Sequence, residues 1–433
     1  MEKYEMKHAS SEISTNNRPL TDTREWMYAL PGILLCLAAL VMLIADVLLP
    51  GMTDKQYIVY PVICRAVMVI SSVVMLIQAI GSKSDFLHKP DLTDACFAGF
   101  VLFMLISTCI NGFTGEALFS VPYRYVGVVD LIVYIAVYMG CSRRVSSKGL
   151  RNAFLICFML IADLICVAFI YDWFVKDIPA MGCENPASAI FFHDNHYAYF
   201  LVIAIMISIG YFIYGTVPEM IAGLVSMLLN LFALGVNRTA GCFIAVGTSV
   251  IIIIIYTVIR HRDCSRRALA LAIAYLAGAI FLIVANGILR DDLILLVKEV
   301  IEILRGGDTT YAGHGRWRLW KITVDYLLDE PFFGYGCEGI SETLYDYVEI
   351  SSPHNEPLTY AAYFGIPAAI LYVTGCISSI VKGLQSGDTD NSRVIAAFAA
   401  MGYLISSVFG VAMFYTAPYL FILIGLSDPY NKS

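Results

Sequence analysis

Long apolar runs alternate with short polar breaks along most of the chain. Stretches near residues 27–49, 58–81, 92–110, 121–140, 152–174, 196–214, 218–236, 239–259, 268–287, 357–381 and 393–413 are almost wholly apolar, and a shorter one follows near 416–427. Most reach the roughly 20 residues that a helix needs to cross a hydrocarbon core of about 30 Å. The alternating segments of about ten residues that build a membrane barrel do not occur. The pattern predicts an all-α, polytopic membrane protein with eleven or twelve transmembrane helices.

The series is interrupted once, from about Leu289 to Pro353, and a break of that length implies a function of its own. Within it, residues 291–305 open on paired acids and close on Arg305 before two glycines, which are helix start and stop signals. Residues 315–329 set Trp317, Trp320, Val324, Leu327 and Leu328 on one stripe, and Pro331 ends the run. Both segments read as amphipathic helices lying on a membrane surface. The expected organisation is a disordered tail over 1–25, nine spans over 26–287, an extracytoplasmic loop over 288–355, and the remaining spans with a short tail over 356–433. The first span lacks a small-residue cleavage site and reads as an uncleaved anchor.

Composition agrees with the pattern. With 59% apolar and 15% charged residues and a mean hydropathy of +0.73, there is too little polar surface to coat a water-soluble globule. Lys and Arg collect in four breaks, around Lys83 and Lys89, Arg143 to Arg151, Arg260 to Arg267, and Lys382 to Arg393. These breaks share one side if the N-terminus is cytoplasmic, which puts the long loop outside. The net charge of −7, split between two faces, gives no ground for a nucleic-acid partner. Most of the twelve cysteines fall in spans and no CxxC pair occurs. Cys183 and Cys337 alone are expected on the outer side, and their pairing stays open.

Candidate chemistry is sparse. Gly334 to Gly339 spells a dinucleotide fingerprint, but no strand precedes it. Asp388-Thr389-Asp390 has the look of a metal-binding acid pair, yet sits in a short turn. His193-Asp194-Asn195-His196 has zinc-ligand spacing, with His314 and His354 expected on the same side, and also reads as a polar surface segment. Charges in or beside spans are costly and are paired or functional. Asp130 and Asp163 read as mid-span residues paired within the bundle. Arg65, Arg124 and Arg238 fall at outer span ends, where forked guanidinium groups suit a pyrophosphate.

Several strings together resemble the O-antigen ligase and O-antigen polymerase superfamily of bacterial membrane glycosyltransferases. They are Asn237-Arg238-Thr239-Ala240-Gly241 opening a span, Gly315-Arg316 with Trp320 beyond, Pro331 with Gly334 and Gly336, and His354-Asn355 with Leu358 and Gly365. His193 to Tyr199, around Asn195, resembles that family's earlier asparagine-bearing segment. The resemblance covers about residues 190–425, and it departs from the family at Glu356-Pro357.

It implies a fold like that of the C-type glycosyltransferases. It also implies a polyprenyl-pyrophosphate-linked saccharide donor, a glycan or lipid-linked acceptor, surrounding membrane lipids, and chemistry on the outer face of the bacterial cytoplasmic membrane. Arg238 and Arg316 are then expected to bind pyrophosphate, with Arg124 and Arg65 assisting. His354 is expected to activate the acceptor hydroxyl, and Asn355 and Asn195 to orient substrate. Fixed arginines make a metal cofactor unnecessary in this scheme. A polymerase or capsule-assembly role is preferred slightly over a ligase. The rival class is a secondary transporter or flippase for lipid-linked oligosaccharide, which calls for internal repeats and broken helices near the midplane.

Overall fold

The computed structural model describes residues 25–48, 56–81, 90–121, 124–171, 173–174, 189–191, 193–306, 315–348, 351–388 and 390–428. The N-terminal tail, Lys83, Lys89, Cys183 and His314 lie outside these residues. All regular structure among the described residues is helical. In chain order the helices are α1 Glu25–Leu48, α2 Gln56–Gly81, α3 Leu92–Asn111, α4 Gly115–Phe119, α5 Val128–Arg144, α6 Lys148–Tyr171, α7 Asp194–Tyr214, α8 Val217–Asn237 and α9 Ala240–Arg260. They continue as α10 Ser265–Ala285, α11 Gly287–Arg305, α12 Arg316–Asp329, α13 Ser341–Val348, α14 Glu356–Phe364, α15 Ile366–Gln385, α16 Asn391–Ser406 and α17 Ala417–Ser427.

Ten of these helices are long and apolar enough to cross a membrane, against the eleven or twelve spans expected. The fourth expected span begins at Val128 rather than near residue 121, because Asp130 accepts a hydrogen bond from the Gly127 backbone and starts the helix there. Asp130 therefore lies in the first turn of α5, not in mid-span. At 11 residues α17 is roughly 17 Å long, too short to cross.

The tenth expected span is broken. Gly365, at φ +96°, separates α14 from α15, and a side chain there would run into the Phe332 carbonyl. The broken end is closed by the preceding Pro331–Gly336 turn. Tyr335 N–H donates to the Ala362 carbonyl, Gly336 N–H to the Tyr363 carbonyl and Ile366 N–H to the Pro331 carbonyl. The glycine-rich string is thus a clamp on a helix end, and Gly336, at φ +81°, is what lets its backbone turn inward.

At the centre stands α7, whose span is 94% buried, as a helix apolar on all sides must be. It packs against α8, α16 and α9. Asp163, in mid-α6, accepts from Ser226 Oγ and Asn230 Nδ2 of α8, each at 2.7 Å. On α12 the buried stripe is Leu319, Thr323 and Leu327; Val324 and Leu328, expected on it, are exposed. Trp320 is half-buried against the core.

Of the basic residues expected to share one side, Arg143, Arg151, Lys382 and Arg393 meet acids at one end of the bundle, while Lys83 and Lys89 lie outside the described residues. Arg143 pairs with Asp94, Arg151 and Arg393 with Asp390, and Lys382 with Asp91 and Asp428. The Asp388–Asp390 turn is part of this network: Asp390 caps α16 through Ser392. Which end faces the cytoplasm is checked by impermeant thiol labelling. Cys337 and Cys141 are buried and will not report, so new cysteines at exposed Asp346 and Arg262 are needed, in a background lacking Cys109, Cys183 and Cys264. Asp346→Cys should label in intact cells and Arg262→Cys only after permeabilisation; the reverse inverts the orientation.

Candidate active site

Four helices begin close together, and the residues singled out by sequence stand at those beginnings. His193 precedes α7, Arg238 and Thr239 precede α9, Arg316 opens α12, and His354 and Asn355 precede α14. Three contacts tie the starts to one another. Asn237 Nδ2 donates to the Asp194 carbonyl at 3.0 Å, Arg316 Nη1 lies against Gly241, and Trp320 Nε1 donates to the Pro353 carbonyl at 2.9 Å, next to His354. A helix N-terminus presents unpaired N–H groups and a partial positive charge.

Two of the four ends are closed by side chains. His193 Nδ1 accepts from the Asn195 backbone and Asn355 Oδ1 from the Leu358 backbone at 3.0 Å. The caps of α9 and α12, Thr239 and Gly315, make no such bond. Their N–H groups stay open to an anion.

His354 is held in a left-handed backbone conformation, φ +51°, uncommon for a residue with a side chain and typical of functional sites. Its Nδ1 lies 3.0 Å from the Ser352 carbonyl. A carbonyl only accepts, so Nδ1 carries the hydrogen and Nε2 keeps its lone pair. Burial pushes the imidazole down to about 4, and the Arg316, His193 and Arg124 charges act in the same direction, while the bond to Ser352 opposes them. The ring is a neutral base at physiological pH.

The four arginines divide into two kinds. Arg316 and Arg238 have no carboxylate partner among the described residues; Arg238 rests over the Trp173 ring, and its buried Nε makes no hydrogen bond. Arg65 and Arg124 are occupied. Arg65 forks onto Asp130 at 2.9 and 2.6 Å and also donates to the Phe119 carbonyl. Arg124 lies four residues before α5 rather than inside a span, is buried, and pairs with Glu338 at 2.9 Å. Asn195 lies in the first turn of α7 near these groups, and its side chain makes no hydrogen bond among the described residues.

Sequence reasoning did not single out Glu338, whose carboxylate also accepts from Ser120, Ser341 and Tyr363. It read Glu356 only as a departure from the family. That residue is buried, with Tyr372 and Tyr403 hydroxyls donating to its two oxygens. His196 is buried against Tyr415, its ring 5.8 Å from that of His193. No group of three His, Cys, Asp or Glu side chains with metal-site geometry occurs among the described residues.

Fold and site together define a class: a multi-pass helical membrane protein with an anion-receptive site at converging helix starts, next to a neutral histidine. Residues 222–373 match the model of the O-antigen ligase family, which supports the resemblance through this stretch. The match supports a role in cell-surface polysaccharide biosynthesis. Arg238, Arg316, His354 and Asn355 lie within the matched residues, whereas Arg65, Arg124 and Asn195 lie outside them. No curated protein and no solved structure matches the chain.

Two measurements follow from this geometry. The His354 pKa of about 4 lies below the ordinary 6.5, so between those values the unfolded chain binds the proton and the folded one does not. The stability that the neutral ring contributes is complete above about 6.5 and is lost as pH falls through about 4. His354→Gln should flatten that part of the melting-temperature profile in detergent. Separately, Arg65→Met should cost on the order of 3–5 kcal/mol, because Asp130 is left charged and unpaired. Adding Asp130→Asn should restore most of the loss. If the double variant melts as low as the single one, Arg65 has a role beyond this pair.

Proposed function

We propose that this protein transfers or polymerises a polyprenyl-pyrophosphate-linked saccharide onto an acceptor hydroxyl at the outer face of the cytoplasmic membrane. The observation that carries this reading is the placement of two arginines without carboxylate partners among the described residues, at open helix N-termini, beside a histidine whose Nε2 keeps its lone pair. Arg316 and Arg238, with the first-turn N–H groups of α9 and α12, hold the donor's pyrophosphate. The acceptor hydroxyl oxygen attacks the anomeric carbon and its proton passes to His354 Nε2. The anomeric C–O bond breaks, and its electron pair leaves with the lipid pyrophosphate.

Pyrophosphate is a weakly basic leaving group, so the step needs charge stabilisation rather than an acid. Fixed donors in a partly dry site supply that without reorganising. The arginines provide the positive charge, and no divalent cation is needed. Polymerase and ligase share this step and differ in the acceptor. The break at Gly365 is a feature that carriers also use, but here the Ala361, Ala362 and Tyr363 carbonyls are taken by backbone donors. Few acceptors are left there for a coupling ion, which favours an enzyme.

The test uses purified protein, a synthetic polyprenyl-pyrophosphate saccharide and a chelator. Arg316→Lys and Arg238→Lys should each weaken donor binding by on the order of 2–5 kcal/mol, because lysine cannot fork across two phosphate oxygens. His354→Ala should keep donor binding while transfer falls by roughly 10² to 10⁴, with donor accumulating on the outer leaflet. Normal turnover in both lysine variants removes the pyrophosphate role. Donor trapped on the cytoplasmic leaflet in the His354 variant would instead identify a carrier.

A further inference from the structure

A cleft of about 590 Å³ lies beside this site, within the size range of small-molecule and cofactor sites. Its walls are the end of α3 at Asn111, α4 at Glu116, the turn from Tyr335 to Gly339, the start of α13 at Glu342 and Tyr345, and Ser351. No leucine, isoleucine, phenylalanine or tryptophan lines it among the described residues, so it offers an acyl or polyprenyl chain few aliphatic side chains to bury against.

The cleft's charge is one-sided. Arg124, its one lining cation, is neutralised by Glu338 in the wall at 2.9 Å. Glu116 and Glu342 remain, and neither makes an ion pair or hydrogen bond with another side chain among the described residues. Ionised carboxylates only accept hydrogen bonds, which suits sugar hydroxyls and repels phosphates and uronates. Tyr345 is exposed and lines the cleft, where its ring can cover the C–H face of a pyranose. Tyr335 offers its ring as well, since its hydroxyl is committed to the Tyr326 carbonyl at 2.8 Å.

The cleft also adjoins the reacting group. Ser351 in its wall stands three residues before His354 and accepts from Arg124 at 3.1 Å through its carbonyl. Arg124 in turn is close enough to bias the His354 ring.

We propose that this cleft is the acceptor subsite, that it binds neutral or amino sugars, and that it discriminates against uronic-acid and phosphate-bearing glycans. This rests on the transfer reading above, to which it adds the acceptor's chemical class. The wall residues Asn111, Glu116 and Arg124 come from outside the stretch that matches the family model, so acceptor choice is set partly by the part of the chain that the family match leaves out.

Binding of three soluble probes to the full-length protein in nanodiscs tests this: the neutral triacetylchitotriose, its deacetylated glucosamine trimer, and trigalacturonic acid. Triacetylchitotriose and the glucosamine trimer should bind, the latter roughly ten-fold tighter than trigalacturonate, since one exposed ion pair is worth about two- to five-fold. Glu116→Gln with Glu342→Gln should bring that ratio to within about two-fold, and Tyr345→Ala should weaken every probe. These side chains are exposed, and donor binding in the same preparations reports that each variant is folded. Trigalacturonate bound as tightly as the glucosamine trimer, no probe bound at all, or affinities unchanged in the variants would each overturn the proposal. Loss of donor binding to the unsubstituted protein with saccharide binding intact would instead overturn the transfer reading and leave the cleft a saccharide site.

Discussion

The geometry of the site depends on a set of backbone hydrogen bonds at a break in a helix. Inside a membrane an interrupted helix must find internal partners for its freed carbonyls and N–H groups. Here the Pro331–Gly336 turn supplies them, and so fixes where α14 ends and α15 begins. Because α14 is only nine residues long, fixing its end also fixes its start, where His354 and Asn355 stand. The residue types that look like a phosphate-binding string in one dimension are there so that a backbone can turn against a helix end.

Around that fixed point the protein separates structural from receptive charge. Arg65, Arg143 and Arg151 are each matched by an aspartate, as buried ions must be to offset desolvation. Arg124 is matched by a glutamate with three hydroxyl donors around it. Among the described residues Arg238 and Arg316 have no such partners, Arg238 in the turn between α8 and α9 and Arg316 at the start of α12. In the reading proposed above, a site arranged this way offers its positive field to an anion that arrives from outside the chain, and the neutral His354 beside it adds a proton acceptor without adding charge.

The two functional faces have different origins in the chain. The residues proposed to hold the donor lie in the stretch that matches the family model, Arg238 between two helices that pack against the almost completely buried α7 and Arg316 on α12, which packs against α14. The cleft proposed to hold the acceptor is shared between that stretch and the short helix and turn around residues 111–124.

Hydropathy by itself determined that the chain is an all-helical, multi-pass membrane protein, where most spans run, and that α11 and α12 are helices, because lipid leaves the backbone no other way to satisfy its polar groups. The sequence also singled out Arg238, Arg316 and His354, since forked cations and an imidazole beside spans are costly unless used, and motif resemblance placed them in order. Only the tertiary structure decided which arginines are spent. Asp130 is 65 residues from Arg65 and Glu338 is more than 200 from Arg124, and no local pattern reveals pairing across such separations. The break at Gly365 was equally hidden, for an apolar run reads the same whether or not its backbone is interrupted. The protonated nitrogen of His354 was decided by the Ser352 carbonyl, and the cleft beside it by segments distant in sequence that meet in space. These are properties of distance and direction, which a one-dimensional pattern of residue types does not carry.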